Sequence, residues 1–101
     1  MIKTTVLYGQ PESTGAFEKY YSDTHLPLAA KVGGIIKTEF TKFLPNPDGS
    51  APAYYRMAEL YFSGAAEMQQ TFDSVEGKAM AADLSNFASG GVTIMFGQVE
   101  N

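Results

Sequence analysis

The chain has 101 residues, 45% hydrophobic and 18% charged, which is the balance of one globular domain spanning residues 1–101 around a single core. Seven basic against eleven acidic side chains give a formal net charge of −4, which leaves no basic stripe for a phosphate backbone, so no nucleic-acid partner is expected. There is no cysteine and only one histidine, so thiolate catalysis and disulfides are excluded, a metal site lacks its usual second histidine, and neither metal nor cofactor is expected.

The opening MIKTTVLYG is too short and too polar for a signal peptide, and no later stretch has the length of a membrane span. No membrane partner is expected, and the expected location is the cytoplasm. Residues 2–8 alternate Ile2, Thr4, Val6 and Tyr8 against Lys3, Thr5 and Leu7, a strand that Gly9 and Pro11 end. Ser13 or Thr14 can cap a helix over 14–24. On it Phe17, Tyr21 and His25 stand four residues apart, with Leu28 continuing the stripe, and this face points inward. Pro27 has no N–H to donate, so the helix is expected to kink or stop beside His25, leaving the imidazole near free carbonyls. One more turn over 28–32 precedes Gly33-Gly34.

IIKTEFTKFL, residues 35–44, reads as the second strand, and PNPDGSAP, residues 45–52, as an exposed flap between antiparallel strands. In YYRMAELYF, residues 54–62, Tyr54, Ala58, Leu60 and Phe62 share one face and Tyr55, Met57, Glu59 and Tyr61 the other. Ser63 is the expected cap of a second helix carrying Met68, Phe72 and Val75, which Glu76-Gly77 interrupts. A further helix over 78–87 carries Met80, Leu84 and Phe87, with Asp83 and Asn86 to the side. Residues 92–99 form the last strand, with Val92, Ile94 and Phe96 opposite Thr93, Met95 and Val99.

The order strand, helix, strand, strand, helix, strand is the βαββαβ arrangement of the ferredoxin-like α+β fold, a four-stranded antiparallel sheet with helices on one face. The third and fourth strands are apolar on both faces, so either Met57, Tyr61 and Met95 or their opposite set needs cover. Covering several hundred Å² is worth on the order of 10 kcal/mol. A homodimer packed sheet on sheet is the expected solution.

YYSDTHLPLAAKV, YRMAELYF and SVEGKAMAADLSNFASGGVTIMFGQ together resemble the EthD family of dimeric α+β barrel proteins over nearly the whole chain. The resemblance is carried most by Tyr21, Asp23, His25, Leu26 and Pro27 and by Phe87, Gly90, Gly91 and Gly97. It implies the dimeric barrel fold. For activity it implies less: the family is named after an accessory protein of ethyl tert-butyl ether degradation. The wider superfamily includes cofactor-free cyclases, isomerases, decarboxylases and monooxygenases of small, often aromatic molecules.

His25 is the only side chain whose ordinary pKa lies near neutrality, so it is the candidate proton carrier, with Tyr21 one turn earlier as its catalytic partner. Phe17, Tyr55, Glu59 and Tyr61 are the candidate substrate-binding residues, Glu59 as the group that orients the imidazole. Each has a structural alternative. A lone histidine at a helix end can simply donate to a carbonyl, tyrosines often serve as core amphiphiles, and Glu59 can face solvent or pair across the dimer. Lys19 and Asp23 are expected to form an exposed ion pair. Three readings stay open: a cofactor-independent isomerase, cyclase or lyase acting on a carbonyl-bearing hydrophobic or aromatic molecule, a non-catalytic binding or accessory protein of an oxidative degradative pathway, or a dimer without a ligand whose cleft its own side chains fill.

Overall fold

Alternation of side chains along a strand sends even and odd residues to opposite faces, and β1, Ile2–Tyr8, shows which face is covered: Thr4, Val6 and Tyr8 are buried while their neighbours are only half-buried. The structure is a computed structural model and describes residues 1–100. Beside β1 lie β3, Arg56–Phe62, and β4, Val92–Gln98, both antiparallel to it, and β2, Lys37–Lys42, pairs antiparallel with β3. The spatial order β2-β3-β1-β4 is that of the ferredoxin-like α+β fold. Each strand lies within the expected range, the second and third starting two residues later.

The register sets two rows across all four strands: Phe40, Ala58, Val6 and Ile94, then Thr38, Leu60, Thr4 and Phe96. Both rows face the helices. At the β4 edge this cover is incomplete, since Ile94 and Phe96 remain 44% and 63% exposed.

The first helical layer contains α1, Thr14–Tyr20, a π-helical turn, Tyr21–His25, and α2, Leu26–Ala29. Ser13 is the cap, accepting from the Ala16 N–H at 3.2 Å. Of the two outcomes that Pro27 suggested, a kink or a stop, the helix does not stop at His25. In a regular α-helix the proline ring would meet the carbonyl four residues back and leave it without a donor. Here the chain widens to i→i+5 bonding, with the Leu26 N–H reaching the Tyr21 carbonyl, and so carries the proline inside a continuing helix. Phe17, Tyr21 and His25 stay on the inner face, all buried. Asp23 accepts from the Ser22 hydroxyl, and Lys19 and Asp23 do not form the expected ion pair.

The second layer is α3, Ala65–Asp73, then α4, Val75–Asp83, then a 3₁₀ turn, Leu84–Asn86. Gly64, not Ser63, precedes α3. The break comes at Ser74, whose hydroxyl accepts from the Gly77 N–H at 3.0 Å and donates to the Thr71 carbonyl at 2.6 Å. Gly77 therefore lies within α4, pressed against the Thr71 carbonyl so closely that a Cβ would collide with it. Val75, grouped by helical spacing with Met68 and Phe72, falls after the break and is 81% exposed.

Tyr54 and Tyr55 also depart from simple alternation. Tyr55 precedes regular β3, with its N–H on the Tyr8 carbonyl and its carbonyl accepting from the Phe43 N–H. It is buried against Phe17 at 5.1 Å between ring centroids, whereas Tyr54 is exposed. Residues 45–52 form a turn in which Asp48 accepts from the Ser50 N–H at 2.9 Å and Asn46 donates to the Ser50 hydroxyl at 3.1 Å, and the Pro52 carbonyl accepts from Nε2 of Gln10 at 2.9 Å.

Candidate functional site

Between the helices and the two sheet rows lies a cavity of about 270 Å³. Its floor is Val6, Ala58, Leu60 and Thr4, its ends are Phe40 and the Ile94–Phe96 edge, and its roof includes Tyr21 and His25 from the first layer and Met80 and Leu84 from the second. The flap over 45–52 does not border it.

His25 is 5% exposed, its ring lying parallel to that of Tyr21, 5.8 Å away at 17°, and tilted against Phe87 at 4.7 Å. The π-helical turn brings this about by keeping Tyr21 and His25 on one face while passing Pro27. Nδ1 lies 3.0 Å from Oδ2 of Asp83. The other oxygen of Asp83 accepts from the Tyr20 hydroxyl at 2.6 Å and from Nδ2 of Asn86 at 3.0 Å. Burial pushes the Asp83 carboxyl up, but the donors Tyr20, Asn86 and His25 outweigh it and hold the group below its ordinary value. The carboxylate is therefore ionised at neutral pH and can only accept, which places the proton of neutral imidazole on Nδ1. Nε2 keeps its lone pair, and among the described residues no protein group hydrogen-bonds to it. Asp83 and His25 form an oriented acid–base pair in an apolar chamber.

Tyr21 is 3% exposed, and its hydroxyl is buried with no partner. Burial pushes its pKa up to about 12, against the lowering influence of Arg56, so it is a protonated donor at neutral pH. The Arg56 guanidinium sits 5.0 Å from the centre of the Tyr21 ring and is held by Glu18 through two hydrogen bonds of 2.8 and 2.6 Å. This ties α1 to the start of β3 and traps Tyr21 between Arg56 and His25. Tyr8, on the cavity floor, packs edge-on against Tyr21 at 5.8 Å, and burial raises its pKa strongly.

Of the residues singled out in the sequence, the cavity thus unites His25 and Tyr21. Phe17 and Tyr55 stand one layer behind, in the aromatic core. Glu59 and Tyr61 are elsewhere. They alternate with the cavity residues Ala58 and Leu60, so they point to the helix-free face, where Glu59 pairs with Lys3 at 2.6 Å and the Tyr61 hydroxyl donates to Glu39 at 3.3 Å. Asp83 therefore takes the place expected of Glu59 beside the imidazole. Its position three residues after Met80 and four before Phe87 put it within the inward stripe of α4, a sign that a carboxylate there has a buried partner. Among the described residues no cluster of three or more His, Asp or Glu could hold a metal ion.

An uncharacterised 11.0 kDa protein from the thcB-thcC intergenic region of Rhodococcus erythropolis is 41% identical over 96 residues, covering 95% of this chain and 92% of its own length. The crystal structure of an ethyl tert-butyl ether degradation (EthD) family protein from Bacillus halodurans C-125 matches with a TM-score of 0.92 and 35% identity over 99% of both chains. A dimeric ferredoxin-like protein of unknown function from Thermobifida fusca, 13% identical, shares the fold alone, with a TM-score of 0.72 over 97% of this chain and 90% of that one. The EthD domain model matches residues 9–91, and the chain belongs to the EthD family.

Proposed function

We propose that this protein is a cofactor-independent enzyme that moves a proton on a carbonyl-bearing small molecule, with His25 as the base. The observation that carries this reading is the 3.0 Å contact of Nδ1 with Asp83, which leaves Nε2 as the basic nitrogen of a residue lining an apolar cavity. Nε2 removes a proton from the carbon beside the carbonyl, and the resulting enolate oxygen takes a hydrogen bond from the Tyr21 hydroxyl. The imidazolium, stabilised by the Asp83 carboxylate, then returns the proton to the same or a neighbouring atom. No electron is gained or lost. Positioned acid–base catalysis of this kind contributes about 10²–10⁴-fold. Phe17 and Tyr55 support the site from behind, and Glu59 and Tyr61 have no part in it.

The test is exchange of α-protons of cyclohexanone and 2-tetralone in deuterated water, followed by NMR. Exchange above the buffer rate that His25→Gln removes is the expected result. Exchange unaffected by His25→Gln, or none with either ketone, would overturn the reading and leave a protein that holds its ligand unaltered, the binding or accessory role.

We propose also that two copies pair through the helix-free sheet faces. Leu7, Met57 and Met95 form an apolar strip there beside the Lys3–Glu59 and Lys37–Glu39 pairs, and the Thermobifida fusca protein of the same fold is described as dimeric. Sedimentation should find a dimer that Met57→Glu converts to monomer; a wild-type monomer would refute the pairing.

A further inference from the structure

The cavity is more selective than its apolar character suggests, and its size and polar atoms together define a ligand. We infer that it takes a neutral molecule of about two rings carrying one hydroxyl or carbonyl oxygen. This rests on the reading of Nε2 as the free nitrogen of His25 and names the ligand class of that same site.

Size comes first. An apolar cavity of about 150 Å³ accepts one benzene ring, so about 270 Å³ has room for roughly two. The floor narrows to a methyl group at Ala58, which leaves this room between the sheet and the helices.

Charge is excluded by what the walls lack. No Lys, Arg, Asp or Glu lines the cavity, and the nearest charge behind the imidazole is the Asp83 carboxylate. A ligand carboxylate would enter without a counter-ion and face a like charge. Polar atoms are few: the Thr4 hydroxyl already donates to the Met68 sulfur at 3.3 Å, while the Tyr21 hydroxyl is buried without a partner and the Tyr8 hydroxyl, also on the lining, makes no hydrogen bond among the described residues. Two free hydroxyl donors and one free acceptor match one oxygen function, since an aromatic or enolic O–H can donate to Nε2 and accept from Tyr21, with a second lone pair left for Tyr8.

The experiment is calorimetric titration of the full chain at pH 7.5 with 2-naphthol, naphthalene and 2-naphthoate, with the His25 ring signals followed by NMR. The expected order is 2-naphthol tightest, naphthalene weaker by about a hundredfold, the worth of the two hydrogen bonds to Nε2 and Tyr21, and 2-naphthoate weakest. Binding of 2-naphthol should shift the His25 signals. Tyr21→Phe should weaken 2-naphthol by about tenfold and leave naphthalene within about twofold, and Ala58→Leu, which narrows the slot, should weaken both. Equal or tighter binding of 2-naphthoate, or no probe that shifts the His25 signals, would overturn the inference. The catalytic reading fails separately: 2-naphthol bound as described with no His25-dependent ketone exchange refutes the chemistry and keeps the ligand class. Exchange of cyclohexanone without binding of any two-ring probe does the reverse.

Discussion

The two faces of the sheet each hold a buried carboxylate beside a base, yet they do different things. On the helix-free face Glu59 meets Lys3 at 2.6 Å, and Lys3 is 34% exposed. On the helix face Asp83 meets His25 at 3.0 Å, with both side chains under 10% exposed. Lysine has three donors and no acceptor, so its pair with Glu59 is complete as it stands, a half-solvated tie between β1 and β3. Imidazole has a second nitrogen. Fixing one against a carboxylate leaves the other defined and available, which makes the same acid–base pairing chemically useful only on the enclosed face.

The contrast can be broken most forcefully at the aromatic core behind the cavity. Phe17→Ala, which removes a ring packed against Tyr8, Tyr21, Tyr55 and Phe87, should cost about 3–5 kcal/mol in urea denaturation. Loss below about 1 kcal/mol would mean that the helix face is not tightly packed.

Asp83→Asn comes next. Its amide can no longer accept as a carboxylate, and about 1–3 kcal/mol of stability should be lost at pH 7. The Nδ1-protonated tautomer, read from ¹⁵N shifts of the single histidine, should give way to a mixture. The pH dependence has a definite sign. The folded-state pKa of Asp83 is depressed, so its contribution is fully present above the unfolded value, about 3.9, and is lost as pH falls through the lower folded value. The stability gap between wild type and Asp83→Asn should therefore narrow in acid below about pH 4. A gap that widened would contradict the arrangement.

Tyr20→Phe should act in the same direction but less, since Asn86 and His25 remain on the carboxylate. The Asp83 carboxyl, followed by ¹³C NMR, should titrate at higher pH than in wild type. The smallest effect is expected from Glu59→Gln: it severs the Lys3 tie but should leave the His25 ¹⁵N shifts in place. Movement of those shifts would mean that the two faces communicate.

Much of this molecule was legible in the chain. Strand alternation and the Phe17–Tyr21–His25 spacing depend on nearest neighbours, so the four strands, their order with the helices and the inward stripe follow from local pattern alone. The widened turn does not, because whether a helix ends at Pro27 or carries it depends on what packs against Leu26 and Ala29 from the second layer. Tyr55 was misplaced for a related reason: alternation holds only inside a regular strand, and β3 begins one residue later.

The sequence by itself determined the fold and the placing of the lone imidazole and Tyr21 on one inward helical stripe. Only the tertiary structure decided the carboxylate partner. Glu59 and Asp83 lie 34 and 58 residues from His25 along the chain, and each occurs in an apolar segment. The choice between them rests on the sheet register, which turns Glu59 to the far face, and on the packing of α4 against the first helical layer, which brings Asp83 to Nδ1.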